Sequence, residues 1–139
     1  MFLSRSQNLP GEFNDQPFAK KADKDSEGGF VYNISDQTND KSEKKTPNGG
    51  LRSEGGMTYA GLKSFLYAGV SKDDPRVKAA IGWVKRHYTV TENPGMGQSG
   101  LYYYYHTFAK AMDALGDEIF EDDKKVKHAW KKELFEQLK

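Results

Sequence analysis

The chain has 139 residues, 36% of them hydrophobic and 29% charged, with a net charge of +1 and no cysteine. That length supports one domain with a real core, and the near-neutral balance argues against a nucleic-acid protein, which concentrates basic charge on one face. Without cysteine there is no disulfide, thiolate catalysis or cysteine-ligated zinc, and no apolar run approaches the roughly 18 residues that a membrane span requires.

The opening MFLSRS is too short and too polar for a signal peptide. Residues 1–7 read as a helix stub. Residues 8–54 are rich in Gly, Asn, Asp, Ser and Lys, with the polar run DQTNDKSEKKTPNGG at 36–50. Phe30, Val31 and Tyr32 are the one candidate for a short strand there, and the rest reads as loop. A loop of this length inside a compact domain points to function or to structure missing around it. Residues 1–54 are therefore assigned as a mostly irregular segment, and 55–139 as the helical part.

Beyond residue 54 the apolar spacing turns helical. Met57, Ala60, Gly61, Phe65 and Ala68 form one stripe, with Leu62 and Leu66 beside it and Gly69 at the C-cap. Asp73-Asp74-Pro75 predicts the start of a second helix, with an acidic N-cap and proline at the first helical position. Its stripe is Val77, Ala80, Ile81 and Val84, with Trp83 as a packing anchor. Turn chemistry returns over 89–99. A third helix is expected from about Gly100 to Leu115, stopped by Gly116. A fourth is expected from Asp122-Asp123 to Lys139, with Trp130 as its packing anchor.

DDPRVKAAI from Asp73 matches DDKKVKHAW from Asp122, and the preceding helices end at Gly69 and Gly116. Two helical hairpins at a period near 50 predict an all-α repeat array. Such arrays normally need about three or more units, so the chain is expected to be a fragment, or a short member, of a larger one.

Gly95, Gly97 and Gly100 spell G-x-G-x-x-G at a helix start. A dinucleotide site would need a buried parallel strand leading into Gly95, and YTVTENP is polar and interrupted by Pro94. The motif is expected to be an inter-helix turn, with anion binding at the helix start as the weaker reading. In the helix that follows, Tyr102 to Tyr105 spread around the circumference at about 100° per residue. Leu101, Tyr104, Tyr105, Phe108, Met112 and Leu115 form the apolar stripe. Tyr102, Tyr103, His106, Lys110 and Asp113 form the more polar face. Aromatic rings there could stack on an apolar chain, and phenol or imidazole could fix a polar head. Tyr102, Tyr103 and His106 are therefore the leading candidate ligand residues. Gln98, on the turn that opens the helix, and Tyr59, at a similar early position on the first long helix, complete the set. His87, His106 and His128 lie on separate predicted elements without ligand-like spacing, so no metal site or cofactor is expected.

NGGLRSEGGMTYAGLKSFLYAGV, the stretch from Asp73 to Gly116 and HAWKKELFEQLK resemble the prenyltransferase and squalene-oxidase repeat proteins of bacteria, relatives of the squalene–hopene cyclases. The resemblance implies an α/α toroid around an apolar cavity, an isoprenoid-like small-molecule ligand, and the remaining repeats of the same protein as partners. The cyclases' Asp-x-Asp-Asp acid does not carry over, since DKDS at 23–26 and SKDD at 71–74 each lack one aspartate. Nor does the Asp-Cys-His zinc set of the protein prenyltransferases. The first expectation is thus an apolar-binding segment without its own catalytic acid. The alternatives are a segment of an active cyclase-like enzyme with its acid in other repeats, or an α-solenoid that binds protein. The compartment is not fixed by the sequence.

Overall fold

The computed structural model describes residues 3–139. It is a mostly helical small domain: α1 (Pro17–Lys20), α2 (Gly55–Tyr67), α3 (Pro75–Arg86), α4 (Leu101–Leu115) and α5 (Trp130–Leu138), with a two-strand hairpin of β1 (Phe120–Glu121) and β2 (Lys127–His128). Short 3-10 turns cover Leu3–Ser6 and Ile34–Thr38. The first of these stands where the stub was expected; Met1 and Phe2 lie outside the described residues.

The local rules explain most boundaries. Gly69, at φ +80°, ends α2 in the left-handed conformation that side chains disfavour, and Gly116, at φ +83°, ends α4 the same way. Asp74 caps α3 as expected: its Oδ1 accepts from the Arg76 backbone N–H at 2.9 Å, and Pro75 holds the first helical position. The same carboxylate accepts twice from the Arg76 guanidinium, at 2.9 and 2.8 Å. These side-chain bonds, with the backbone bond second, hold the Asp74 carboxyl down at about 2. A carboxyl depressed by folding adds stability above its unfolded pKa and loses it as pH falls through the folded value. Asp74→Asn keeps the cap but not the ion pair. It should cost about 1 kcal/mol at neutral pH, a deficit that fades as the pH is lowered toward 2, as urea unfolding at a series of pH values would show.

The main contact in the domain is α2 against α4. Phe108 sits at its centre, with ring centroids of Tyr59, Tyr104, Tyr88 and Trp130 at 5.1, 5.9, 5.7 and 6.0 Å. Trp83 and Trp130 are both buried, as packing anchors should be. The α4 stripe is as expected: Tyr104, Tyr105, Phe108, Met112 and Leu115 are buried and Leu101 is half-buried. On α2 the buried line is rotated from the expected one. Thr58, Tyr59, Leu62 and Phe65 face inward, Met57 and Ala60 are half-buried, and Ala68 is exposed. Thr58 misleads the pattern because it is buried for its hydroxyl, which accepts from the Phe30 N–H at 2.9 Å and donates to the Glu54 carbonyl at 2.8 Å.

Apart from the single turn of α1 and the two 3-10 turns, residues 3–54 wrap the longer helices through buried amides. Asn8 donates to the Leu51 carbonyl and to Ser53 Oγ, and Ser53 Oγ donates to the Ser26 carbonyl. Gln7 Nε2 lies 2.9 Å from the carbonyls of both Gly28 and Arg76, tying this segment to α3. The strand expected at Phe30 to Tyr32 reduces to a single bridge between Gln7 and Phe30. Phe30 packs on Phe65 while Val31 joins a separate small cluster with Phe18, Ala19 and Leu51.

The fourth helix does not begin at Asp122-Asp123. That stretch is the turn of the β1–β2 hairpin, where Phe120 pairs with His128 and Glu121 with Lys127. In the first copy Pro75 fixes a helical φ after Asp74; in the second Lys124 takes its place. Here Asp122 Oδ1 instead accepts from the backbone N–H groups of Lys124 and Val126, at 2.9 and 3.0 Å. Lys125 adopts φ +65°, and helix α5 starts only at Trp130. The matching nonapeptides therefore adopt different backbones.

Candidate functional site

The G-x-G-x-x-G stretch is a turn, and its glycines answer to backbone geometry. Gly95, Gly97 and Gly100 have φ of +87°, +58° and +66°, values that favour glycine at each position. A Cβ on Gly95 would also lie 2.8 Å from the Ser53 carbonyl oxygen. The turn is pinned by Asn93, whose backbone N–H donates to the Gly97 carbonyl and whose side-chain amide donates to that of Ser99. Asn93 Oδ1 accepts from the Gly56 N–H at 3.1 Å, and the Pro94 carbonyl accepts from Gly55 at 2.8 Å. The turn thereby supplies the cap that α2 lacks from its own N-cap residue, Glu54.

Two of the four tyrosines hold this connector from the other side. Tyr104 donates to the Thr89 carbonyl at 2.6 Å and Tyr105 to that of Val90 at 2.8 Å. Burial pushes the Tyr104 phenol well above its ordinary range. The other two point away from the core: Tyr102 is 83% exposed and Tyr103 51%. Tyr103 leans on the start of α2, where a Cβ at Gly56 would meet its ring at 3.1 Å.

An open groove of about 680 Å³ brings three of the sequence candidates together. Gln98, Tyr102 and Tyr103 line it with Thr91 and Leu101, and Leu138 of α5 stands on its other wall. The Gln98 amide donates to the Thr91 carbonyl at 3.0 Å, which fixes its direction along the rim. His106 is exposed one turn further along α4 and is not part of this lining. Tyr59 is elsewhere altogether. It is fully buried between Tyr104 and Phe108, its hydroxyl lacks a hydrogen bond of ordinary geometry, and burial beside the Tyr104 phenol raises its pKa strongly.

Sequence reading missed a second polar cluster, formed by Tyr88, Asp122, His128 and Glu133. Both imidazole nitrogens of His128 meet carboxylates: Nε2 lies 2.9 Å from Asp122 and Nδ1 3.0 Å from Glu133. Asp122 and Glu133 are only six and five positions from His128, but a continuous helix from Asp122 would not bring both to one imidazole as the hairpin does. Tyr88 joins Glu133 from 45 positions away. Among the described residues no group of three or more His, Asp or Glu is placed to hold a metal, and no helix is long and apolar enough to cross a membrane. No family model, curated protein or solved structure matches the chain.

Proposed function

We propose that the groove between α4 and α5 is a binding wall for an apolar, isoprenoid-like molecule, and that the chain serves as a segment of an α/α toroid enclosing such a ligand. The observation that supports this most directly is the division of labour among four adjacent tyrosines. Tyr104 is fully buried in the core, and Tyr105 is buried while also lining the groove. Tyr102 and Tyr103 contribute large aromatic area to an open groove that this domain does not fill. Exposed aromatic area grouped in this way marks interaction sites more often than single surface residues do. Gln98 at the rim offers a polar contact for a head group. His106, exposed one turn further along α4, would meet a ligand that extends past the groove.

Farnesol is a suitable probe, titrated by calorimetry against the protein and against a Tyr102→Ala/Tyr103→Ala double variant. Covering roughly 30 Å² of apolar surface on each ring contributes about 0.7 kcal/mol, at about 25 cal/mol per Å². The double variant should therefore bind about tenfold more weakly, with folding stability within about 0.5 kcal/mol of the parent. Absence of farnesol binding by the parent, or equal binding by the variant, would remove the reading.

A second reading, a surface that seats another helical repeat or a protein partner, draws on the apolar residues Phe135 and Leu138 exposed on α5. Sedimentation of the purified chain separates the two: concentration-dependent self-association abolished by Phe135→Ser would favour the partner surface.

A further inference from the structure

The Tyr88–Asp122–His128–Glu133 cluster lies outside the groove's lining, and its chemistry does not depend on what fills that groove. Its members come from three places: the connector after α3, the β1–β2 hairpin and the first turn of α5. Asp122 Oδ2 faces His128 Nε2 at 2.9 Å; Glu133 Oε1 and Oε2 face Nδ1 at 3.1 and 3.0 Å. Ionised carboxylates accept hydrogen bonds and cannot donate them. Both ring nitrogens must therefore carry a hydrogen for both contacts to be attractive, and this geometry belongs to imidazolium. The Tyr88 ring lies almost flat against the imidazole, with centroids 3.9 Å apart and planes at 24°. Its hydroxyl donates to Glu133 Oε1 at 3.2 Å, closing the ring of contacts. The His128 bond is also the leading reason that the Asp122 carboxyl sits below its ordinary range.

Apart from this cluster, helix α5 is held chiefly at its first turn, where the Trp130 indole N–H donates to the Asp117 carbonyl at 2.8 Å and its ring meets Phe108. Its N-cap, Ala129, offers no side-chain bond, and only Trp130 and Leu134 are buried along its length. Glu133 is its link to the cluster, and its last turn carries Leu138 on the groove wall.

We infer that His128 is a protonation-dependent clamp that holds α5 to the hairpin and to Tyr88. The titratable groups facing the imidazole are Asp122 from the hairpin turn, Glu133 from α5 and Tyr88 from the connector. With the proton bound, both carboxylates are engaged. When it leaves, one nitrogen lone pair confronts a carboxylate oxygen, and the Glu133 side, which belongs to the less anchored element, gives way. The sign follows from the geometry: α5 is held more firmly when both ring nitrogens carry hydrogen, at low pH, and loosens when the proton is lost as pH rises. At still lower pH, protonation of Asp122 would weaken the other half of the clamp.

The test is amide hydrogen exchange of α5 in the full chain between about pH 5 and about pH 8, the range in which histidine titrates, corrected for intrinsic rates. Imidazole nitrogen NMR on the same samples reports the state of His128. The expected result is doubly protonated His128 at the acid end and a loss of α5 protection on the order of fivefold that follows its titration. Glu133→Gln should remove that pH dependence, because an amide can either accept from or donate to the ring nitrogen. His128→Gln should remove it too. A neutral, single-tautomer His128 at the acid end would overturn the inference. So would α5 protection that varies with pH identically in the parent and Glu133→Gln, a variant whose side chain keeps its size.

Discussion

Gly28→Ala is expected to destabilise the protein by about 3 kcal/mol or more, seen as a lower denaturation midpoint with an unchanged slope. Two independent costs meet at this residue. Its φ of +87° is disfavoured for any side chain, and an added Cβ would lie 2.1 Å from the Ala79 carbonyl oxygen and 2.7 Å from the carbonyl carbon. Both atoms belong to the α3 backbone, so no rotamer change relieves the clash. Gly28 cannot retreat easily either. Its N–H donates to the Asn8 carbonyl at 2.9 Å, and its own carbonyl accepts from Gln7 at 2.9 Å. A loss below about 1 kcal/mol would mean that the segment around Gly28 does not dock on α3 in this way.

Truncation on α4 should separate its two faces sharply. Phe108→Ala removes a fully buried ring from the meeting point of Tyr59, Tyr88, Tyr104 and Trp130. Large-to-small changes of this kind cost about 3–5 kcal/mol, because the lost transfer energy is joined by a cavity that rigid neighbours fill only partly. Tyr102→Ala, six positions earlier, should cost less than about 0.5 kcal/mol, since that ring is 83% exposed. Measuring both by urea unfolding places the division between core and groove directly. Comparable losses would mean that Tyr102 is a structural residue and that the proposed binding wall is misplaced.

How far the chain alone announces this architecture varies by element. The start of α3 is legible because Asp74 and Pro75 act within three residues of one another. The ends of α2 and α4 are legible because Gly69 and Gly116 need a left-handed backbone. The turn nature of Gly95 to Gly100 follows from Pro94 and from the lack of an apolar strand before it. Its purpose does not, since capping the start of α2 depends on Asn93 meeting Gly56 across 37 positions. The apparent repeat fails for a related reason. Asp, Asp, Val, Lys and Ala recur after 49 residues, yet Lys replaces proline at the one place where the backbone is decided, and the pairing of Phe120 with His128 prevails.

Of the candidate residues, Tyr102 and Tyr103 could be assigned to one helix face from the 100° step alone. Gln98 joins them only because the connector folds back to the rim. Tyr59 could not be excluded from sequence, because its burial depends on how α2 is rotated against α4, and Thr58 disguises that rotation by burying a hydroxyl.

The helices Gly55–Tyr67, Pro75–Arg86 and Leu101–Leu115, their capping signals and the two-faced pattern of α4 are legible in the chain alone, because each rests on interactions within one or two turns. The tertiary structure alone decided the rotation of α2, the hairpin before α5 and the groove shared by Tyr102, Tyr103 and Leu138. It also decided the enclosure of His128 between Asp122 and Glu133. Those features depend on which surfaces the folded chain brings together out of water, and the order of residues along one helix or turn does not encode that choice.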